Sequence, residues 1–213
     1  MKIPIPGIAV SVTAEALLIT SQEPLLVLSS SPVGGGLTLA RFILNMHVPK
    51  GYDRPDPAQD LIACAQKNGV QETFIGMMTA AYVEKACLTI EQSQGLIVCA
   101  ILTAGLSNAC TAGITPPASV YPGTINAILL VDAHLSHAAL VNSVITATEA
   151  KCDSLRRLKR FSPEGEIATG TSTDTLVVAT TGRGRALPYA GPATTVGWLI
   201  ARAMRQAMEE AVQ

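Results

Sequence analysis

The aliphatic segment INAILLV, residues 125–131, is the feature that most constrains how this chain folds. A run of this length and composition is typical of a strand buried on both faces, by helices or by a second sheet. Asp132 ends the run. The next segment, 135–158, has apolar positions at helical spacing, namely Val141, Ile145, Thr148, Cys152 and Leu155. We therefore predict a buried central strand followed by a long helix.

Shorter patterns predict the elements around this unit. Residues 8–30 read as three short strands with turns at 13–15 and 22–24. The segments 85–91 and 96–103 read as a hairpin, and 176–179 reads as a second buried strand. Helices are predicted at 60–67, ending near Asn68 and Gly69, and at 195–211. The segment 37–48 fits a strand or a helix equally, and the Pro- and Gly-rich segments 51–57 and 112–123 are predicted loops.

This mixture of strands, hairpins and long helices predicts one α+β domain spanning residues 1–213. We expect a largely antiparallel sheet covered by helices. One arrangement of this kind is an α/β/β/α sandwich, in which two sheets stack between helical layers. The order of the strands does not follow from the sequence.

The composition excludes several classes of protein. Hydrophobic residues make up 48% of the chain and charged residues 15%, and the net charge is −1. This composition is typical of a globular protein and not of a disordered or nucleic-acid-binding chain. Mean hydropathy is +0.36, yet the longest apolar candidate, 95–106, is too short to span a bilayer. With no secretory signal pattern at the N-terminus, we expect no membrane partner and a cytoplasmic location. The five cysteines lack a CxxC pair, which favours small buried thiols.

The predicted long helix has a second, polar stripe. Its members are Asn142, Thr146, Glu149 and Asp153, which lie at offsets of four, three and four residues. Small uncharged neighbours around Glu149 would suit a buried carboxyl with an altered pKa. The alternative is a solvated or lysine-paired glutamate on the helix surface.

The segment ATGTSTD, residues 168–174, leads into the predicted strand at 176–179. Its hydroxyls and backbone N–H groups could hold an anion or an oxyanion, while Asp174 could orient a hydroxyl or a water. The alternative is an ordinary polar turn whose side chains satisfy their own backbone.

Asp132, His134 and His137 lie where the central strand gives way to the helix, a common place for ligand sites. Two histidines three residues apart beside an acid can chelate a metal, but this spacing is frequent by chance and lacks the HExxH signature. We predict no metal site. The absence of GxSxG, P-loop and GxGxxG patterns removes support for the commonest hydrolase and nucleotide-binding folds.

Several segments together resemble the adenosylcobinamide amidohydrolase family. Two long ones carry most of the resemblance, GTINAILLVDAHLSHAALVNSVITATEAK at 123–151 and ATGTSTDTLVVA at 168–179. Shorter ones are GGGLTLARFILNMHV from 34, GMMTAA from 76, TAGLSNA from 103 and YAGPATTVGWLIARA from 189. They occur in the family's order and span most of the chain, 34–203. Residues 125–151 also have a weaker likeness to self-cleaving enzymes that use an N-terminal nucleophile. We do not assign that mechanism, because the chain runs without a break from residue 1 to residue 213.

The resemblance implies a corrinoid-salvage enzyme. Its substrate would be adenosylcobinamide, with the aminopropanol free or phosphorylated, and amide hydrolysis would release adenosylcobyric acid. No protein-held cofactor is implied, since the cobalt belongs to the substrate. An alternative from another class is a corrinoid carrier that binds without cutting, and a metal-dependent amidohydrolase is a third possibility. The apolar composition favours a symmetric homo-oligomer.

Cutting an amide requires an activated nucleophile, a stabilised oxyanion and protonation of the departing amine. We expect Glu149 or Asp174 to act as general base, or Ser172 or Thr173 to attack directly. Residues expected to stabilise the oxyanion or contact the substrate are Asn45, Thr79, Asn108, Asn126, Asp132 and Thr171.

Overall fold

The computed structural model describes residues 1–117 and 124–212. Its strands are β1 (Ile8–Val12), β2 (Ala16–Ser29), β3 (Gly36–His47), β4 (Phe74–Thr79), β5 (Cys87–Ser93), β6 (Leu96–Ala104), β7 (Ala109–Cys110), β8 (Ile125–Val131), β9 (His134–Leu135), β10 (Gly170–Thr171), β11 (Thr175–Thr180) and β12 (Ala186–Leu187). Its helices are α1 (Pro57–Lys67), α2 (His137–Arg157) and α3 (Thr195–Ala211), with a single 3₁₀ turn at Val83–Lys85.

Eight strands form one mixed sheet in the order β4-β3-β2-β11-β8-β6-β5, with β1 added beside the first half of β2. Among the described residues, the pairs β3–β4 and β8–β11 of this sheet are parallel and its other pairs are antiparallel, so the sheet is mostly antiparallel. In the parallel pair at the centre, Asn126 of β8 is opposite Thr175 of β11. The predicted α+β class is confirmed.

The buried side chains fall into clusters on the two faces of the sheet. Alternate residues of β8 point to opposite faces, so Ala127 and Leu129 pack against α2 and α3 while Ile128 and Leu130 join an inner cluster. That inner cluster also contains Ile43 of β3, which shows that the two halves of the sheet pack against each other. Helix α1 covers a third cluster at the far end. The central strand is therefore buried on both sides, as its composition predicts.

The prediction of three strands in 8–30 is wrong, because β2 continues through the supposed turn at 22–24. The β2–β3 register shifts between Thr20 and Leu25, and Pro24 lies inside this irregularity. Such an irregularity tolerates a proline, which has no N–H to donate to a ladder. The first half of β2 pairs with β1 and the second half with β11, so the irregularity marks a change of partner.

Other predicted elements are observed with small shifts. The β5–β6 hairpin turns through Gln94 and Gly95, whose φ angles of 51° and 77° fit a two-residue hairpin loop. The ambiguous segment 37–48 is strand β3. Helix α1 starts earlier than predicted, at Pro57 behind the capping side chain of Asp56, and ends as predicted before Gly69. The predicted loop 112–123 has no helix or strand over 112–117, and 118–123 lies outside the described residues.

Of the apolar positions predicted for α2, Leu155 is fully buried, but most of the others do not mark the buried face. Val141 and Ile145 are 52% and 49% exposed, whereas the buried side consists largely of small residues such as Ser143, Ala147 and Ala150. Small side chains let the helix approach the sheet and α3 closely, which offsets the loss of larger apolar groups. In the described part of the chain no helix combines the length and hydrophobicity needed to cross a membrane.

Candidate active site

The first residues of β8 and β11 lie side by side, because the two strands are parallel and in register from Asn126 and Thr175 onward. Thr124 precedes β8, and the turn 171–174 precedes β11. The polar side chains that precede each strand are therefore brought together at one end of the sheet. The prediction that 168–174 is a polar loop is confirmed, apart from the two-residue strand β10.

Asp174 ties three elements together in this region. Its Oδ1 accepts hydrogen bonds from the backbone N–H groups of Ile125 and Thr171, each at 3.1 Å, and from the Thr171 hydroxyl. Its Oδ2 forms an ion pair with Lys151 of α2, and the two side chains are only 18% and 15% exposed. Asp174 thus holds the turn, the start of β8 and the middle of α2 in fixed relative positions.

Gly170 makes room for this ion pair. A Cβ built there would overlap Asp174 Oδ2 and would lie 2.7 Å from Lys151 Nζ. The glycine in ATGTSTD is thus required by a close approach of two charged side chains. The sequence analysis did not include Lys151 among the site residues. Lys151 lies seven residues, or about two helical turns, after Val144, so the two side chains lie on the same side of α2.

Asn108, from the loop after β6, holds the tip of the turn. Its Nδ2 donates to Ser172 Oγ at 2.8 Å and lies 3.4 Å from Thr173 Oγ1, while its backbone oxygen accepts from Ser172 N–H at 3.3 Å. Ser172 is exposed and Thr173 partly so. The structure therefore brings Asn108, Ser172 and Thr173 together, which the sequence analysis had only proposed.

A buried set of amides and hydroxyls continues from Thr173 into the space between the two halves of the sheet. Thr124 Oγ1 donates to the Thr173 carbonyl at 2.7 Å and lies 3.3 Å from Asn126 Oδ1. Asn126 Nδ2 in turn donates to Asn45 Oδ1 at 2.8 Å, and Asn45 Nδ2 donates to Thr103 Oγ1 at 3.1 Å. Sequence reasoning missed Thr124 and Thr103, since isolated threonines at strand ends carry no motif.

We call this connected set the polar network. Its members are Asn45, Thr103, Asn108, Thr124, Asn126, Lys151, Thr171, Ser172, Thr173 and Asp174. Thr79 lies beside it: Asn126 Nδ2 also donates to the carbonyl of the preceding Met78 at 2.9 Å, while Thr79 Oγ1 accepts from Ala81 N–H. The network joins most of the predicted site residues in one place.

Two cavities open on the polar network. The first, of about 210 Å³, lies between α2 and the sheet, and combines Lys151, Asp174 and Thr175 with apolar walls that include Val144 and Leu176. The second, of about 320 Å³, is bounded by the loops 80–85 and 103–107 and by Lys50, and Thr103 lines it. Substrate groups entering from either side can reach the network.

The structure does not bring Glu149 to this site. Glu149 is exposed and lies two residues before Lys151, which places it on the opposite side of α2 from the first cavity. The rest of its polar stripe is structural: Thr146 donates to the Ala190 carbonyl, and Asp153 pairs with Arg156 and Arg205. The alternative interpretation, a solvated glutamate, describes Glu149 correctly.

Asp132 also lies apart from the polar network. It follows the last residue of β8, six residues and so roughly 20 Å from Asn126. There it accepts from Thr181 Oγ1 at 2.8 Å and pairs with Arg183 at 3.2 Å. Within the part of the chain that the structure describes, no three His, Cys, Asp or Glu side chains are placed to hold a metal ion.

The cysteines near the network are poorly suited to attack a substrate. Burial raises the pKa of the Cys110 and Cys152 thiols, which lie near Lys151 and Asp174, and raises that of Cys99 to about 12. All five cysteines are free; Cys99 is buried as predicted, whereas the other four are partly exposed. A thiolate nucleophile is therefore disfavoured, because the thiolate is the reactive form.

Two curated relatives and one solved structure are similar to this chain. An adenosylcobinamide amidohydrolase of Methanosarcina mazei is 32% identical over 184 residues, covering 82% of this chain and 84% of that protein. A protein of Halobacterium salinarum with the same name is 34% identical over 113 residues, 50% of this chain and 46% of its own length. The crystal structure of the PH0078 protein from Pyrococcus horikoshii is similar in fold alone, with a TM-score of 0.51 at 12% identity over 97% of this chain and 83% of that one.

The family model for adenosylcobinamide amidohydrolases matches residues 5–213, nearly the whole chain. This match confirms the resemblance carried by the segments at 123–151 and 168–179, and with it the hydrolase class. The chain belongs to the adenosylcobinamide amidohydrolase family.

Proposed function

We propose that this protein hydrolyses the amide that joins aminopropanol to the corrin ring of adenosylcobinamide or its phosphate, releasing adenosylcobyric acid, and that it does so at the polar network. The observation that carries the location is the turn 171–174, in which Ser172 is held by Asn108 and Asp174 lines the first cavity. The family membership supplies the reaction.

The size of the cavities limits which part of the substrate enters. Pockets that enclose a whole drug-sized ligand have volumes of roughly 300–1,000 Å³, and a corrin ring is larger than such ligands. The cavities measure about 210 and 320 Å³. The ring therefore stays at the protein surface, and only the side chain with its amide reaches the network.

We assign Ser172 a contact with the amide carbonyl. Its oxygen accepts a hydrogen bond from Asn108, so its own hydrogen points away from Asn108 and is available to a substrate oxygen. A positioned donor of this kind stabilises the negative charge that develops on the carbonyl oxygen. Two routes of attack fit this position: attack by a water held there, or attack by the hydroxyl of Ser172 or Thr173 followed by hydrolysis of the acyl intermediate. In both, the proton that the attacking group gives up replaces the one that Lys151 donates to the departing amine.

Lys151 is the group to which we assign protonation of the departing amine. Its ammonium lines the first cavity between apolar walls, and Asp174 fixes its position. Asp174 Oδ1 already accepts from three donors, so we assign this carboxylate a positioning role. The general-base role predicted for Glu149 is left out of the proposal, because that side chain faces solvent away from the cavity.

The test is to incubate the purified protein with adenosylcobinamide and to follow adenosylcobyric acid and aminopropanol by mass spectrometry. We expect both products in equal amounts, also after exhaustive chelation of metals. Rapid quenching separates the two routes, since direct attack gives a covalent adduct on a peptide containing Ser172 and Thr173. Binding of the corrinoid without product would contradict the proposal and identify a carrier.

A further inference from the structure

We propose that a third cavity, at the opposite end of strand β8 from the polar network, binds a mononucleotide, with its phosphate at Arg185 and its base on the ring of Tyr189. The proposed hydrolysis does not use this cavity, so the inference goes beyond that function and does not depend on it. It comes from the position and size of the cavity, from a lining cation without an acidic partner among the described residues, and from an open aromatic ring.

The third cavity lies where the two central parallel strands end. β8 and β11 end side by side at Val131 and Thr180, and the segments 132–133 and 183–189 that follow them both contribute to its walls. The β5–β6 loop and the first residues of α3 complete the walls. The volume is about 660 Å³, which is larger than either cavity beside the polar network and within the roughly 300–1,000 Å³ of pockets that enclose a small ligand.

Contacts within the protein hold these walls in position. At the start of α3, Thr195 Oγ1 donates to Gln94 Oε1 of the β5–β6 loop at 3.4 Å. On the other side β12 pairs with β9, and the backbone N–H of Ser136 donates to the Leu187 carbonyl at 3.1 Å. The Ser136 hydroxyl donates to the Pro188 carbonyl at 3.0 Å, directly before Tyr189. A ligand therefore meets walls that are already formed, which lowers the entropy cost of binding.

The charges at the third cavity leave one cation available to a ligand. Asp132 lines the cavity, and its carboxylate forms a salt bridge with Arg183 at 3.2 Å. Arg185 also lines the cavity, but within residues 1–117 and 124–212 it forms neither a hydrogen bond nor a salt bridge. A guanidinium can bind phosphate through two parallel N–H bonds. The cavity therefore favours an anion.

The rest of the wall suits a flat ring. Tyr189 lines the cavity with 66% of its surface exposed, so its ring can be reached by a ligand. Leu96, Leu187 and Val196 supply aliphatic surface in the same cavity. Nucleobases stack on aromatic side chains, and this contact depends little on which base is present. A phosphate for Arg185 and a base for Tyr189 together describe a mononucleotide.

The first measurement is calorimetric titration of the purified protein with AMP. We expect one equivalent to bind with a Kd below about 1 mM. Arg185→Met should weaken this binding about tenfold, because the phosphate loses a charge-assisted contact. Arg157→Met, which changes an exposed arginine at the end of α2, is the matched control and should keep the wild-type Kd.

The ring is tested separately with the same titration. Tyr189→Ala should weaken AMP binding about fivefold or more, whereas Tyr189→Phe keeps the ring and should bind AMP as wild type does. Inorganic phosphate should bind more weakly than AMP and with the same Kd in Tyr189→Ala as in wild type. Circular dichroism checks that the variants fold.

Hydrogen–deuterium exchange locates the nucleotide. AMP should slow exchange in peptides covering 183–189 and leave peptides covering 168–174 unchanged, and saturating adenosylcobinamide should not displace it. No AMP binding at millimolar concentration, or a wild-type Kd in both Arg185→Met and Tyr189→Ala, overturns the proposal. Displacement of AMP by adenosylcobinamide overturns it as well, since the cavity would then belong to the corrinoid. Equal affinity for AMP and inorganic phosphate would contradict recognition of the base.

Discussion

At each end of strand β8 a partly buried aspartate pairs with a basic side chain and accepts from a threonine hydroxyl. Where the strand begins, these are Asp174, Lys151 and Thr171; where it ends, they are Asp132, Arg183 and Thr181. The aspartates are almost equally exposed, at 18% and 17%. Composition and burial alone therefore do not distinguish the two ends.

The difference lies in what the charged pairs are connected to. Both pairs line a cavity, but Lys151 is only 15% exposed and its partner Asp174 belongs to a chain of amides and hydroxyls that reaches across the sheet. Arg183 is 44% exposed, and its other contact is the backbone oxygen of Pro6. The first pair is built into a network that can act on a ligand, while the second fastens the N-terminal segment.

The largest expected effect separates the two cations. Lys151→Met should lower kcat by about 10²–10⁴-fold, because the departing amine loses its proton donor. Arg183→Met, the matched change at the other end, should alter kcat by less than about threefold, since an exposed ion pair contributes little. Steady-state kinetics with adenosylcobinamide measure both. Equal losses in the two variants would remove the distinction between the ends.

The next effect concerns stability. Asn126→Ala leaves the buried Asn45 Oδ1 and the Met78 carbonyl without their donor, which should lower the free energy of unfolding by about 2–3 kcal/mol. Thr181→Val at the opposite end removes a hydrogen bond near the surface and should cost about 1 kcal/mol or less. Urea unfolding monitored by circular dichroism measures both. A smaller loss for Asn126→Ala than for Thr181→Val would show that the network is not a stabilising unit.

A smaller effect is expected from the exposed tip of the turn. Ser172→Ala removes one donor to the carbonyl and should lower kcat by about 10- to 100-fold, with little change in stability. Restoration of a hydroxyl in Ser172→Thr should recover part of the activity. If Ser172→Ala turns over as fast as wild type, the carbonyl does not lie at Ser172.

The smallest effect is predicted for the glutamate that the structure separates from the site. Glu149→Gln should change kcat by less than about twofold. It should change the free energy of unfolding by less than about 0.5 kcal/mol, as substitutions at other exposed positions do. The same assays measure it. A loss as large as that of Lys151→Met would return Glu149 to the mechanism.

The strength of a local pattern explains which parts of the fold could be predicted. The buried strand β8, the β5–β6 hairpin and the end of α1 follow from aliphatic runs, a glycine turn and a helix cap, all of which act within a few residues. The continuation of β2 through Pro24 could not be predicted, because it depends on a change of strand partner. The buried face of α2 was also missed, since close packing there favours small residues over large apolar ones.

The site divides in the same way. The turn 171–174 and Asn126 could be found because they lie in segments typical of the family, and the structure joins them. Lys151 could not, because its importance depends on Asp174, which is distant in sequence. Glu149 was predicted as a site residue because helical spacing shows which residues share a face of the helix. The spacing does not show which face lines the cavity. The symmetric assembly and the cellular location stay predictions.

Hydrogen–deuterium exchange with bound substrate tests the central claim most directly. The Lys151→Met protein, with slowed turnover, is saturated with adenosylcobinamide and compared with the free protein. The account predicts slower exchange in peptides covering 103–108 and 168–174 and unchanged exchange in peptides covering 181–189. Protection at 181–189 with none at 168–174 would place the corrinoid at the other end of β8 and contradict the account.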